Sequence, residues 1–263
     1  MRSVISVVAR QALYVAGAIL IYFGVRGQTE GAVATADANA QRVLDAERAV
    51  GIDIEAGLQS QLVDHRWLVD LANWIYIWGH WPLILATLVW LVVAHRERFW
   101  EFRNAIFISG SIGLVIFATF PVTPPRLFSP EYLDTVTVHS EAYRVLQPPS
   151  LVNKYAAVPS LHFGWNLLLG ITWYRVGRRR RWTVAAIVMP MAMGFAVVAT
   201  ANHWVLDVIA GAIVALAGLA IEEARHRRWV KRRAQDPPPS EDPHAITSTL
   251  ATPQRSDQLR SET

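Results

Sequence analysis

Residues 201–223 read ANHWVLDVIAGAIVALAGLAIEE, and the next ten, 224–233, read ARHRRWVKRR. From Trp204 to Glu223 the chain is apolar apart from Asp207 and the two closing glutamates. About 20 such residues span the hydrocarbon core of a bilayer as a helix, and a basic cluster behind them marks the cytoplasmic end. Working outward, five further stretches have the same character: 4–24, 67–94, 104–120, 158–175 and 183–201. None has the alternation of a strand. The sequence therefore predicts an all-α integral membrane bundle of six helices.

Composition agrees. The chain has 263 residues, no Cys, 52% hydrophobic and 17% charged residues, and a formal charge of +4. Disorder, a disulfide framework and thiolate chemistry are excluded. The charge is too small and too clustered to indicate nucleic-acid binding. Lys154 and Lys231 are the only lysines, and most Arg fall at Arg2 and Arg10, at Arg96, Arg98 and Arg103, at Arg175 and Arg178–Arg181, and at Arg225–Arg233. All these clusters belong to one side, which puts both termini in the cytoplasm and residues 26–66, 121–157 and the link near Asn202 outside. The first stretch is read as a retained helix and not as a signal peptide, because its apolar part is long and Val-Arg-Gly-Gln-Thr is a poor cleavage site. Residues 1–235 make one membrane domain; residues 236–263, rich in Pro, Ser, Thr and acids, make a disordered cytoplasmic tail. Val43, Leu44, Val50, Ile52, Ile54, Leu58 and Leu62, set among charges, predict an amphipathic helix at the outer interface. There is no internal repeat of the transporter kind. The bias of Arg over Lys suggests a GC-rich bacterial genome, hence a plasma membrane with the polar site outside the cytoplasm.

Ionisable groups at membrane depth are costly and mark functional sites. Three segments carry them at the outer helix ends: Phe120-Pro-Val-Thr-Pro-Pro-Arg-Leu127, Val158-Pro-Ser-Leu-His-Phe-Gly-Trp165 and Ala201-Asn-His-Trp-Val-Leu-Asp207. His203 and Asp207 at i, i+4 share a helical face, so the carboxylate can hold one ring nitrogen and leave the other as a nucleophile or base. Pro159 suits the first position of a helix whose free N–H groups around Ser160, Leu161 and His162 would attract an anion. Ser160 adds a hydroxyl and His162 a proton donor. Arg126 either supplies positive charge to a phosphate or snorkels to lipid headgroups. Singly each has a structural explanation; together, two His, one Asp, one Ser and one Arg from three helix ends suit in-line displacement at phosphorus, one His attacking and the other protonating the leaving oxygen. With two His and one Asp, and no carboxylate-rich motif, no metal site and no organic cofactor are expected.

On these residues the sequence resembles the type 2 phosphatidic acid phosphatase superfamily, whose members carry Pro-Ser-x-His and a later His-x3-Asp on a six-helix membrane core. Phe120-Pro-x-x-Pro-Pro, Val158-Pro-Ser-Leu-His and Asn202-His-x3-Asp-Val-x-x-Gly211 look most like its inositol phosphorylceramide synthase branch of inositolphosphotransferases. The resemblance spans most of residues 40–222. It implies that His203 is the nucleophile, Asp207 its orienting partner, His162 the general acid and later base, and Ser160 a phosphate ligand. Two positions depart from the phosphatase pattern: Thr119 stands where it has Lys and Val197 where it has Arg. Helix N–H groups, Lys154 or Arg144 would have to replace those cations. The same absences mark the synthase-like branch.

Asn73, Tyr76 and His80, at i, i+3 and i+7, form a polar stripe on the second span. They serve either hydrogen bonding between helices or contact with a substrate headgroup, and Glu47 and Glu55 on the outer segment are read in the same two ways. The expected function is a membrane lipid phosphotransferase or phosphatase acting on a lipid phosphate or phospho-headgroup at the outer face through a phosphohistidine, with an acceptor alcohol such as inositol possible. A plain polyprenyl- or glycerolipid-phosphate phosphatase, and a non-catalytic lipid transporter or scaffold, remain open alternatives.

Overall fold

The computed structural model describes residues 31–139, 153–177 and 179–235, with isolated positions between 10 and 24. The first predicted span lies largely, and the tail from residue 236 and Arg144 lie wholly, outside the described residues. The helices are α1 Val33–Val50, α2 Glu55–Val63, α3 Arg66–Trp78, α4 Trp81–Ala94, α5 Arg96–Thr119, α6 Pro125–Phe128, α7 Thr135–His139, α8 Leu161–Val176, α9 Arg180–Ala199 and α10 Val205–Gln235. No strand occurs among the described residues, where an isolated parallel bridge joins Val122 to Ala156. One compact unit ends at Glu223, and from Ala224 the chain forms a second, whose Arg225–Gln235 stretch is exposed.

α5, α9 and α10 are each long and apolar enough to cross a membrane, and α3 with α4 make a fourth if that bent pair is one span. Six were expected. α8 has 16 residues, about 24 Å at 1.5 Å per residue, and the first stretch is mostly undescribed, so three to four is the number that stands. The outward faces carry exposed Val115, Ile187, Met191 and Ile213, an apolar exterior suited to hydrocarbon.

The predicted span 67–94 is not one helix. It bends by 43° at Gly79–His80, where Pro82 stands in the first turn of α4 and removes a donor. A methyl group at Gly79 would lie 2.4 Å from the backbone oxygen of Ile75, so glycine suits the turn that ends α3; the end of the flexible Met189 side chain, 2.5 Å away, could shift. The stripe of Asn73, Tyr76 and His80 assumed a continuous helix; His80 in fact stands at the break, as the residue before α4.

The bundle core joins α4, α5, α8 and α10 through Ile84, Phe102, Leu168, Leu169 and Leu219. Two of its indoles are paired: Trp165 Nε1 donates to Ser109 Oγ at 3.1 Å and Trp173 Nε1 to Thr87 Oγ1 at 3.2 Å. One end is tied by Arg175, which pairs with Glu101 and with Glu223 at 2.8 Å. At the opposite end α8 and α10 approach at glycines. A methyl at Gly211 would lie 2.2 Å from Ser160 O, and one at Gly164 2.5 Å from Gly211 O.

The amphipathic outer segment forms two helices, α1 and α2. Their apolar faces are spent on protein: Ala40, Val43 and Leu44 pack with Val122, Tyr132, Ala157, Ala201 and Trp204, while Val50 and Ile54 stay exposed. Two buried carboxyls accompany that contact. Glu47 Oε1 accepts from Leu206 N at 2.7 Å and Glu55 Oε1 from Val205 N at 2.8 Å, at the start of α10. Burial, with Glu55 alongside, raises the Glu47 carboxyl from 4.5 to about 8.

Two outcomes follow from this packing. Gly211→Ala should cost about 1–3 kcal/mol through overpacking against a backbone carbonyl, read as a lower thermal midpoint in detergent; an unchanged midpoint contradicts the close approach. Glu47 holds a proton in the folded protein that the unfolded chain releases, so its contribution is full below about 4.5 and lost as pH rises towards about 8. Glu47→Gln cannot ionise and should flatten the decline in midpoint across that window; parallel declines in both proteins contradict the assignment.

Candidate active site

α9 ends in a tight turn that presents His203. Ala201 adopts φ 54°, and the N–H groups of Asn202 and His203 both donate to Val197 O at 3.0 Å. A left-handed residue closing a helix in this way is the usual glycine position, and alanine there carries a cost of about 1 kcal/mol. Ala201 is fully buried, and its carbonyl accepts from Arg126 N at 2.9 Å. The turn is thereby fixed from two sides, with Trp204 Nε1 donating to Thr123 O at 3.0 Å beside it.

His203 Nδ1 lies 2.9 Å from Ala157 O and 3.3 Å from Asp207 Oδ2. The nearer acceptor is a backbone carbonyl that sequence reasoning did not find, because any residue type can supply it. Asp207, fully buried, also accepts Trp204 N–H on Oδ2 at 2.8 Å. Both acceptors favour the tautomer protonated at Nδ1, which leaves the Nε2 lone pair free. Burial lowers the His203 imidazole to about 4, against the raising effect of the Ala157 hydrogen bond and with Arg126 lowering it further. The ring is neutral at ordinary pH.

α8 starts at Leu161, two residues later than expected. Pro159 follows a cis peptide bond and lies outside the helix; Ser160 is the N-cap, its Oγ accepting from Phe163 N at 3.4 Å. Ser160 N–H donates to Asp207 O at 2.9 Å, so it is not one of the free donors. Leu161 and His162, at the first two helical positions, have no carbonyl within the helix to bond. Ser160 itself is fully buried.

The His162 and His203 rings are 5.8 Å apart. Attack at phosphorus needs a nucleophile about 3–3.5 Å away and an acid about 3 Å from the leaving oxygen, so this separation has the scale of the task. His162 is stacked on Tyr76 at 4.5 Å and lies tilted against His80 at 4.1 Å, and His80 in turn stacks on Trp165. His162 Nε2 and His80 Nδ1 are buried without a hydrogen-bond partner. Of the polar stripe, Tyr76 and His80 thus border the site. Asn73 does not: its amide donates to Thr135 O at 3.0 Å and its Oδ1 accepts from Thr135 Oγ1 at 3.3 Å, tying α3 to α7.

Arg126, on α6, reaches the turn before His203: Nε donates to Asn202 Oδ1 at 2.8 Å. Its Nη1 pairs with Asp134 at 2.9 Å, a partner not anticipated from sequence. The positions lacking the phosphatase cations are filled otherwise. Val197 is fully buried in an apolar cluster with Tyr76, Ile77, Val136 and Met193, and Thr119 is exposed, bonding Val115 O within its own helix. Lys154 is exposed. Among the described residues no group of three or more His, Cys, Asp or Glu is arranged to hold a metal ion.

The elements that build this site are those matched by a family model described as the PAP2 superfamily, which covers residues 41–221. No curated protein and no solved structure matches the chain. The match runs from α1 through the helix carrying Asp207, more than half the chain, and takes in both histidine motifs. The chain belongs to the PAP2 superfamily.

Proposed function

We propose that this protein is a membrane lipid phosphatase or phosphotransferase that works through a phosphohistidine on His203. The observation that carries the reading is the pair of imidazoles, 5.8 Å apart and drawn from different helix ends, one with its Nδ1 held by Ala157 O and Asp207. Superfamily membership supports a lipid phosphatase-type activity.

In the first step His203 Nε2 attacks phosphorus, the bond to the leaving oxygen breaks, and His162 in its protonated form gives that oxygen its proton. In the second, neutral His162 takes a proton from water or an acceptor alcohol; the resulting oxygen nucleophile displaces His203 from phosphorus. The free donors at the start of α8 and Arg126 stabilise the charge on the equatorial oxygens. By the positive-inside rule this site faces away from the cytoplasm, because Arg175 and the other Arg-rich links belong to the opposite end.

Charge favours transfer of a phospho-headgroup over hydrolysis of a phosphate monoester. Val197 and Thr119 remove two cations from the superfamily pattern, and Arg126 already answers Asp134. A phosphodiester, with one negative charge, suits such a site better than a dianionic monoester. An inositol-type acceptor is the version of this reading that the synthase-like motifs suggest.

The test is turnover by the full chain in detergent on a panel of lipid phosphates and phosphodiesters, with and without inositol. His203→Ala should abolish turnover, and His162→Ala should reduce it by about 10² to 10⁴; near-normal rates in either remove the mechanism. Faster headgroup release with inositol present supports transfer, and indifference to it supports plain hydrolysis. Because His203 loses its proton near 4, the nucleophilic form prevails above that pH, and the acid limb of the rate profile should fall near 4, not near 6.5. A limb centred at the ordinary histidine value contradicts the neutral buried ring.

A further inference from the structure

The start of α10 is served by carboxyls from three elements. Trp204 N–H, Val205 N–H and Leu206 N–H donate in turn to Asp207 Oδ2 at 2.8 Å, to Glu55 Oε1 at 2.8 Å and to Glu47 Oε1 at 2.7 Å. These are the donors that a helix start leaves without partners, and a carboxyl oxygen can accept from them. Glu47 and Glu55 come from α1 and α2, about 150 residues away in sequence, and are 0% and 1% exposed. Burying two carboxyls costs far more than a serine cap would, so an ordinary N-cap does not account for them.

Their position does. Asp207 Oδ2 is shared between Trp204 N–H and His203 Nδ1, at 2.8 and 3.3 Å, and Oδ1 is unpartnered. If the N–H groups of Val205 and Leu206 lacked acceptors, the Asp207 carboxylate, two residues and one residue beyond them in the same first turn of α10, would be drawn to those donors and away from the imidazole. We propose that Glu47 and Glu55 are positioning residues for the histidine chemistry: by occupying the next two donors of α10 they keep the Asp207 carboxylate on His203. The outer helices then act on the nucleophile through one helix start, without touching the substrate. This inference rests on His203 as nucleophile.

The experiment compares full-length wild type, Glu47→Ala, Glu55→Ala and Glu47→Gln in detergent by two readouts. One is kcat and KM with dioctanoyl phosphatidate and dioctanoyl phosphatidylinositol as probes; the other is the ring-nitrogen NMR signal of His203 in ¹⁵N-histidine protein, assigned by its loss in His203→Ala. Each alanine variant should lower kcat about 10- to 100-fold at unchanged KM, as expected of a misplaced reacting group, and should move the His203 signal. Glu47→Gln, which keeps an oxygen acceptor, should leave kcat within about threefold and the signal in place. Alanine variants with wild-type kcat and an unmoved His203 signal overturn the proposal. If the wild type turns over neither lipid, the proposed function on these probes fails, while the NMR comparison still decides whether the glutamates hold the His203 environment.

Discussion

The constraint on which the site depends is the close approach of α8 and α10. Ser160 N–H donates to Asp207 O at 2.9 Å, and the backbones are brought together because Gly164 and Gly211 leave no side chain between them. That contact fixes the helix start bearing His162 against the helix start bearing Asp207. A larger residue at either glycine would push against a carbonyl, and well-packed interiors transmit such a push instead of absorbing it. Backbone packing therefore holds the two helix starts in place, and the rotamers of His162 and His203 bring their rings to 5.8 Å from there.

Around this contact the chain spends its unusual energies. An alanine takes the left-handed position in the turn before His203, three carboxyls are buried around one helix start, and imidazole nitrogens on His80 and His162 are buried without partners. Strain and desolvated polar groups of this kind gather where a site must be held in shape ahead of its ligand. The guanidinium of Arg126 is fixed too, between Asn202 and Asp134. The result is a pre-organised cluster of histidines with few cations around it.

Much of this was legible in the sequence, and the reasons differ by residue. Long apolar runs with Arg at their ends announce membrane helices because the bilayer leaves few alternatives. The i, i+4 spacing of His203 and Asp207 and the Pro-Ser-x-His start of α8 are local patterns, readable without tertiary information. The bend at Gly79–His80 was not legible as a break, because hydropathy averages over an apolar stretch that stays apolar on both sides of it. Ala157 O as the nearer partner of His203, and Asp134 as the partner of Arg126, arise from tertiary packing that spacing does not encode. Glu47 and Glu55 showed only as charges on an amphipathic segment; their meeting with α10 spans 159 and 150 residues of sequence.

The most direct test of the account is to catch the covalent intermediate. Full-length protein is mixed with a lipid labelled with ³²P in its phosphate or phospho-headgroup, quenched within milliseconds in alkali, where phosphohistidine survives, and mapped by proteolysis and mass spectrometry. The account predicts label on the imidazole of His203, appearing before product and decaying as product forms. Label on another residue, or product released with no covalent label at any time, would contradict it.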